Sequence, residues 1–186
     1  MTTVFLSGSR KISRLNDVIR NRIQNMVDKE LQIFVGDANG ADKAMQGFLA
    51  GIGYQNVTVF CAGTTCRNNV GDWSTRKIEV SPKLKGRDFY TQKDKEMAAV
   101  ADYGFVLWDG RSAGSINNVF ELLKREKKVV VYLSQKKEFE KISDPQDIEN
   151  LLKNCDSTDY LAISKKTNIN KRMREFQLSS QGEFSL

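Results

Sequence analysis

Short apolar runs alternate with segments of helical periodicity along most of this chain, and that alternation limits its fold more than any other feature. The apolar runs lie at 4–6, 31–35, 57–61, 103–108 and 129–133, and the helical segments at 14–29, 41–50, 90–101 and around 116–123. Parallel strands need crossover helices, which cover both faces of the sheet and leave the strands apolar throughout. The pattern therefore predicts an α/β fold: a doubly wound, mostly parallel, five-stranded Rossmann-like sheet with helices on both faces.

The 186 residues suffice for one such domain and a short extension. We expect the Rossmann-like domain at 1–135 and a C-terminal helical extension with a basic tail at 136–186. Within the domain, the segment 62–88 is unusually long for a connection between core elements, which indicates a functional or a disordered loop. Pro145 suits the first turn of a short helix, and the polar tail from about 168 is predicted to fray.

The chain has no histidine and only three cysteines. Without imidazole there is no Ser-His-Asp or Cys-His catalysis and no imidazole metal site. The thiols of Cys61, Cys66 and Cys155 are odd in number and widely spread, so we expect buried or bystander thiols rather than a disulfide framework or a zinc site. Hydrolytic chemistry would depend on carboxylates, and no metal or other cofactor is predicted.

The first residues lack the basic and then apolar pattern of a secretion signal, and no stretch has the length of a membrane span. We therefore expect a cytoplasmic protein with no membrane partner. The net charge of +6 comes from the 62–88 loop and the tail, which leaves the β-α core close to neutral.

Polar, glycine-containing turns follow four of the five predicted strands. In an open α/β sheet, ligands bind beyond the carboxyl ends of the strands. There glycines let the backbone approach a ligand, helix N-termini attract anions and arginine suits phosphate. We therefore predict a phosphate-binding crevice for a nucleotide-type ligand. Its candidate residues are Gly8, Ser9, Arg10, Gly36, Asp37, Gly40, Asp42, Asp109, Gly110, Arg111, Ser112, Gly114 and Ser115.

Turn chemistry alone offers another interpretation, because such turns commonly hold Gly, Ser or Asp for structural reasons. Neither G-x-G-x-x-G after the first strand nor G-x-x-x-x-G-K-[ST] occurs in the sequence, which disfavours dinucleotide enzymes and P-loop ATPases.

Three turns together resemble a known superfamily. They read Gly8-Ser9-Arg10, Gly36-x-x-x-Gly40-Ala41-Asp42-Lys43 and Asp109-Gly110-Arg111-Ser112-x-Gly114-Ser115. In this order they are similar to the SLOG superfamily, and more narrowly to its small bacterial YspA-like branch, over about residues 3–134. Its relatives include the Lonely guy phosphoribohydrolases, the DNA-processing A proteins and the nucleotide-sensing domains of defence systems. The resemblance implies a Rossmann-like nucleotide binder and favours a homodimer, with Val119 and Phe120 as either dimer contacts or core.

The resemblance leaves catalysis open. Lonely guy enzymes carry P-G-G-x-G-T-x-x-E, whose glutamate acts on the N-glycosidic bond, and here Asn118 stands where that glutamate would be. An amide cannot act as a carboxylate acid or base. Glu121, one turn later, and Asp109 are weak catalytic candidates. Asp37, Asp42 and Asp109 are possible substitutes for the missing glutamate, and each is equally consistent with a ribose-hydroxyl acceptor or a structural cap.

The 62–88 loop is a candidate lid over the ligand, with Arg67, Trp73 and Arg87 as its contacts. A solvated hairpin with Trp73 in the core is as good an interpretation.

Three functions compete at this point: a nucleotide sensor or binding protein, a nucleoside-monophosphate N-glycosidase, and a nucleic-acid binder. The sequence pI of about 9.2 suggests the third, yet no basic helix or ribbon of stacking aromatics recurs. The missing glutamate favours binding over catalysis.

Overall fold

The computed structural model describes residues 1–182, and the side chains of residues 1–176. Its strands form one seven-stranded sheet in the order β4-β3-β2-β1-β5-β6-β7. The strands are β1 (Thr3–Gly8), β2 (Gln32–Gly36), β3 (Val57–Ala62), β4 (Ser74–Ile78), β5 (Tyr103–Trp108), β6 (Lys128–Leu133) and β7 (Glu138–Ile142). The helices are α1 (Asp17–Val27), α2 (Ala41–Gly51), α3 (Gly86–Val100), α4 (Ala113–Leu123), α5 (Pro145–Leu152), α6 (Ser157–Thr167) and α7 (Ile169–Gly182).

All neighbouring strands are parallel except β6 and β7, which are antiparallel. The chain builds the sheet outward from β1 to β4 and then returns to the other side of β1 as β5. The direction of winding therefore reverses between β1 and β5. The carboxyl ends of these two central strands border the crevice where such sheets bind ligands.

The prediction of a mostly parallel Rossmann-like α/β sheet is confirmed, but the predicted number of five strands was wrong. Both missed strands, β4 and β7, are edge strands with the polar sequences STRKI and EFEKI. An edge strand is largely exposed and needs no apolar run, so neither gave the signal of a buried strand. The 62–88 segment is thus not irregular throughout, because it contains β4 and the start of α3.

Helices cover both faces of the sheet. On one face, Ile19 and Ile23 of α1 and Met45 of α2 pack against the central strands. On the other, α3 and α4 form a second core, which the extension continues with residues of α5, α6 and α7. Val119 and Phe120 lie in this second core and are at most 1% exposed, so their side chains serve packing within the chain.

The tail from 168 is not frayed over its described part, which corrects that prediction. It forms α7, and Ile169 and Met173 pack into the second core. Because α7 is mostly polar, it lacks the apolar periodicity from which these two contacts could have been predicted. The end of the basic tail, 183–186, lies outside the described residues. None of the helices in the described chain is both long and apolar enough to cross a membrane.

Two of the three cysteines were predicted wrongly as free thiols. Cys61, in β3, and Cys66, in the following loop, form a disulfide, because the chain turns back and brings their Cα atoms to 5.2 Å. That separation is within the range that a disulfide requires. Cys155 is free and half-buried. Burial, and then the nearby carboxylates of Asp159, Asp156 and Asp109, raise the pKa of its thiol to about 11.

Candidate functional site

A cleft of about 100 Å³ opens at the carboxyl edge of the sheet, between α3 and α4. The end of β1 forms its floor, and the turn after β2 and the β3–β4 loop contribute to its rim. It is lined by Ser7, Gly8, Arg10, Ala38, Asp42, Arg67, Arg87, Tyr90, Thr91, Lys93, Asp94, Ser112, Gly114, Ser115, Asn117 and Asn118. The structure thus brings parts of all three sequence motifs to one place.

Two motif glycines allow the turns around the cleft to pack closely. A Cβ on Gly8 would lie 2.6 Å from the Leu107 carbonyl oxygen and 2.7 Å from the Ala41 Cβ. Gly40 has a φ of +84°, which favours glycine, and a Cβ there would overlap the backbone of Arg10. These glycines are therefore needed to join the three turns, whatever they do for a ligand.

Asp109 ties two of the turns together. Its Oδ2 accepts a hydrogen bond from the Ser9 hydroxyl at 2.7 Å, and its Oδ1 accepts from the backbone N–H groups of Arg111 and Ser112 at 3.1 and 2.8 Å. Both carboxylate oxygens are thus engaged within the protein, which assigns Asp109 a structural role. Gly110, next to it, has a φ of +79° and starts the turn into α4.

The N-terminus of α4 forms one wall of the cleft. Ser112 is the N-cap, and its Oγ accepts from the Ser115 N–H at 3.3 Å. A Cβ on Gly114 would have only the Ser112 Oγ nearby, at 3.7 Å, so the backbone there is open to a ligand. Unpaired N–H groups and the helix dipole at such a terminus attract anions.

Three buried polar atoms beside this terminus have no hydrogen-bond partner among the described residues. They are the hydroxyls of Ser7 and Ser115 and the side-chain carbonyl oxygen of Asn118. Their residues are at most 6% exposed, and all three line the cleft. Leaving a polar group buried and unpaired costs about 1–3 kcal/mol, and such groups are rare in native proteins. Their concentration in one cleft makes this cleft the candidate site for a polar ligand.

A buried cluster of charges lies under the cleft and centres on Lys93, which is 3% exposed. Its Nζ is 2.6 Å from Asp94 Oδ1 and 4.0 Å from both Asp37 Oδ1 and Asp42 Oδ2. Asp37 and Asp42 are at most 5% exposed. The lysine therefore compensates three carboxylates that come from two different segments of the chain.

Burial and neighbouring charges move the pKa values of this cluster in different directions. Burial raises the pKa of Asp42 to about 6, although Lys93 opposes the shift. Burial alone would also raise the pKa of Asp37, but the hydrogen bonds from Arg67 and the charges of Lys93 and Arg67 outweigh it and hold the pKa below its ordinary value. For Lys93, burial lowers the pKa, but the charges of Asp94 and Asp42 outweigh burial and the pKa is raised.

Asp37 also anchors the β3–β4 loop. Its carboxylate accepts from Arg67 Nη2 at 2.6 Å, from Arg67 Nε at 3.2 Å and from the Arg67 N–H at 3.0 Å. The Asp37 carbonyl accepts from Asn68 Nδ2 at 2.8 Å. The Arg67 guanidinium then lies over the ring of Tyr90, 4.0 Å from its centroid. Asp37 therefore holds the rim of the cleft and has little capacity left for a ribose hydroxyl.

The remaining contacts of the loop fix it to the domain. Gln46 Nε2 donates to the Gly36 carbonyl at 2.8 Å, and Gln46 Oε1 accepts from the Val70 N–H at 2.9 Å. Trp73 is 6% exposed, and its Nε1 donates to the Tyr54 carbonyl at 2.8 Å. Of the three predicted lid residues, Arg67 and Arg87 line the cleft, whereas Trp73 lies in the core.

The two motif arginines have different surroundings. Arg10 lines the cleft and forms no ion pair in the part of the chain that the structure describes. Arg111 does not line it; its Nε is 2.9 Å from Asp159 Oδ2 on α6. Arg87, at the start of α3, lines the cleft and donates from Nη1 to the Lys166 carbonyl at 2.9 Å.

Glu121 lies outside the cleft. It is 6% exposed, and its carboxylate is paired with Arg125 at 2.9 Å and with Arg172 of α7 at 3.2 Å. These contacts join α4 to the extension and leave the glutamate away from the ligand position.

Sequence reasoning missed Lys93, Tyr90 and Asp94 on α3, as well as Ser7 and Asn117. One signal was available for Lys93. It occupies an inward position of α3 together with Met97 and Ala98, and a lysine at such a position needs buried partners. No group of three or more potential metal-ligating side chains occurs within the described residues.

Fold and site together define a Rossmann-like α/β protein with a polar cleft at the switch point of its sheet. The chain is similar to one solved structure, DNA processing protein A from Helicobacter pylori, described for its unique single-stranded DNA binding mode. The likeness has a TM-score of 0.56 at 14% identity and covers 94% of this chain and 81% of the other. This similarity establishes the shared fold. No family model and no curated protein sequence matches the chain.

Proposed function

We propose that this protein binds a nucleotide through its phosphate in the cleft between α3 and α4, as a sensor or binding protein. The observation that carries the proposal is the set of three buried, unpartnered polar atoms on Ser7, Ser115 and Asn118. The adjoining α4 terminus and the free guanidinium of Arg10 supply the positive potential that an anion requires. Membership of the SLOG superfamily, a homodimeric state and a cytoplasmic location belong to the same proposal.

The size of the cleft supports a phosphate as the enclosed group. A space of about 100 Å³ is smaller than the pockets of drug-sized ligands, which measure about 300–1,000 Å³. The sugar and base would therefore extend past the rim, where Tyr90 and Arg67 form a stacked pair. The hydroxyls of Ser7 and Ser115 can donate to phosphate oxygens, and Asn118 Oδ1 can accept from a sugar hydroxyl.

Replacing Ser115 with alanine should separate binding from stability. The variant should bind nucleoside monophosphates at least about fivefold more weakly, because the hydrogen bond from its hydroxyl to a charged phosphate oxygen is lost. Its free energy of unfolding should stay the same or rise, since the hydroxyl has no partner in the protein to lose. Isothermal titration calorimetry with AMP, GMP, CMP and UMP, together with urea unfolding, would measure both quantities.

Ser143→Ala is the matched control, because Ser143 is exposed just before α5 and does not line the cleft. It should leave affinity unchanged. Unaltered affinity in Ser115→Ala, or the absence of binding by the parent protein to any of the four nucleotides, would refute the proposed function.

The two predicted catalytic residues do not support N-glycosidic cleavage. The two catalytic candidates are engaged elsewhere: Glu121 pairs with two arginines away from the cleft, and Asp109 is fully hydrogen-bonded. Asp42 lines the cleft, but its nearest charged partner is the buried Lys93. Binding without turnover is therefore the better proposal.

Single-stranded DNA binding is the second candidate, and the shared fold with DNA processing protein A favours it. Such binding commonly combines a basic groove with aromatic rings that stack on successive bases. Among the described residues, the large exposed aromatic side chains are Tyr103 and Tyr160, and neither lines the cleft. Fluorescence anisotropy with a labelled oligonucleotide, measured at two salt concentrations, distinguishes the candidates, because strand binding weakens steeply with salt.

A further inference from the structure

Helix α6 is held at both ends by the two elements that form the walls of the cleft. In its first turn, Asp159 Oδ2 lies 2.9 Å from Arg111 Nε, in the turn that leads into α4. In its last turn, the Lys166 carbonyl accepts from Arg87 Nη1, in the first turn of α3. Since α3 and α4 are the two walls of the cleft, α6 connects one wall to the other.

Further contacts hold α6 in this position. Ile163, at its middle, is fully buried in the core that α3 and α4 share. Just before the helix, the Cys155 thiol donates to the Gly110 carbonyl at 3.2 Å. The two residues that contact the arginines, Asp159 and Lys166, lie about 10 Å apart along the helix axis at 1.5 Å per residue. This spacing links the two arginine-bearing segments.

The groups that α6 presents to these arginines are those with which an anionic ligand would compete. Asp159 is a carboxylate, and the Lys166 carbonyl lies at the helix C-terminus, where the dipole is negative. Arginine binds carboxylate and phosphate with the same planar fork. While Asp159 holds Arg111 and the Lys166 carbonyl holds Arg87, a phosphate must compete with α6 for these donors.

We propose that α6 is a strap that holds the cleft narrow, and that an anionic nucleotide opens it by taking Arg111 and Arg87 away from α6. This inference rests on the proposed function and names the regulation of the same site. The strap explains why Arg111, which belongs to a sequence motif of the site, does not line the cleft. The ligand then replaces α6 as the partner of both arginines, so ligand binding is coupled to the release of α6.

The test is the affinity of the full chain for AMP, GMP, CMP and UMP, measured by calorimetry for the parent protein and for Asp159→Asn. Asparagine keeps the shape of the side chain and removes the charge that competes for Arg111. The variant should bind about two- to fivefold more tightly, which corresponds to the free energy of a partly exposed ion pair. Glu149→Gln, at an exposed position of α5, removes the same charge away from the cleft and should bind like the parent.

Amide hydrogen exchange gives a second readout. In the parent protein, amide exchange in 157–167 should become faster when the nucleotide is bound, because α6 loses its contacts with Arg111 and Arg87. Equal or weaker binding by Asp159→Asn, or unchanged exchange in α6 on binding, would overturn the strap while leaving the proposed function in place. Failure of all three proteins to bind any of the nucleotides would instead refute the proposed function, and the strap with it.

Discussion

Replacing Lys93 with methionine should lower the free energy of unfolding by about 3–5 kcal/mol near neutral pH, which is the cost of removing one partner from a buried ion pair. Methionine keeps most of the volume, so the loss comes from charge rather than from a cavity. It leaves Asp42 buried without its compensating charge, and it removes one favourable ion pair from Asp37 and one from Asp94. Urea unfolding at constant pH measures this loss.

The deficit of Lys93→Met should shrink as the pH falls from 7 to 5. In the parent protein the pKa of Asp42 is about 6, against 3.8 for the ordinary carboxyl. A carboxyl whose pKa is raised by folding holds its proton more tightly in the folded state, so its contribution to stability grows as the pH falls. The charge of Lys93 lowers the pKa of Asp42, so this pKa should be higher in Lys93→Met than in the parent protein. Protonation of Asp42 should therefore begin to stabilise the variant at a higher pH.

Lys95→Met is the matched control, because Lys95 lies two residues further along α3 and is exposed. A surface substitution of this kind changes stability by at most about 0.5 kcal/mol. If Lys93→Met cost no more than Lys95→Met, or if its deficit were independent of pH, Lys93 would not be the centre of the buried cluster.

Replacing Arg10 with alanine should weaken nucleoside-monophosphate binding about tenfold or more, the largest effect that we expect of a single side chain on affinity. Arg10 lines the cleft beside the α4 terminus and has no carboxylate partner in the described chain. A charge-assisted hydrogen bond contributes about 1.5–3 kcal/mol, and each 1.4 kcal/mol corresponds to a factor of ten in affinity.

Arg14→Ala controls for net charge, because Arg14 is exposed in the same connection and does not line the cleft. Calorimetry on both variants should show weaker binding for Arg10→Ala only. Equal losses in the two variants would mean that the general positive charge of the protein attracts the nucleotide, and that the cleft does not recognise it.

The central part of the fold could be predicted from the sequence because its strands are buried on both faces. Runs such as 4–6 and 129–133 are short and wholly apolar, which is typical of strands buried on both faces, and the segments of helical periodicity between them indicate the order of elements. The edge strands carry no such signal: β4 is STRKI, and its Arg76 pairs with Glu96 of α3. Edges are stabilised by contacts that depend on where the rest of the chain lies.

The candidate site, like the fold, could be predicted from the sequence only in part. The turns after β1, β2 and β5 could be expected to meet, because parallel strands place their carboxyl ends at one edge. The partners of their side chains could not be expected. Asp37 binds Arg67 thirty residues away, and Arg111 binds Asp159 in a separate helix. The pairing of Cys61 with Cys66 likewise depends on a turn that the local sequence does not specify.

The central position of β1 has a consequence for how the chain acquires its structure. On one side β1 pairs with β2, and on the other it pairs with β5, where Val4 is in register with Tyr103. The sheet therefore cannot be completed on that side before the ribosome has released about the first hundred residues, and one edge of β1 stays open during their synthesis. Contacts so distant in sequence also slow folding, because the ends of a long loop must meet before they are stabilised. The strand that carries the first of the three motifs is thus the first to be synthesised, but it is enclosed on both sides only after β2 and β3.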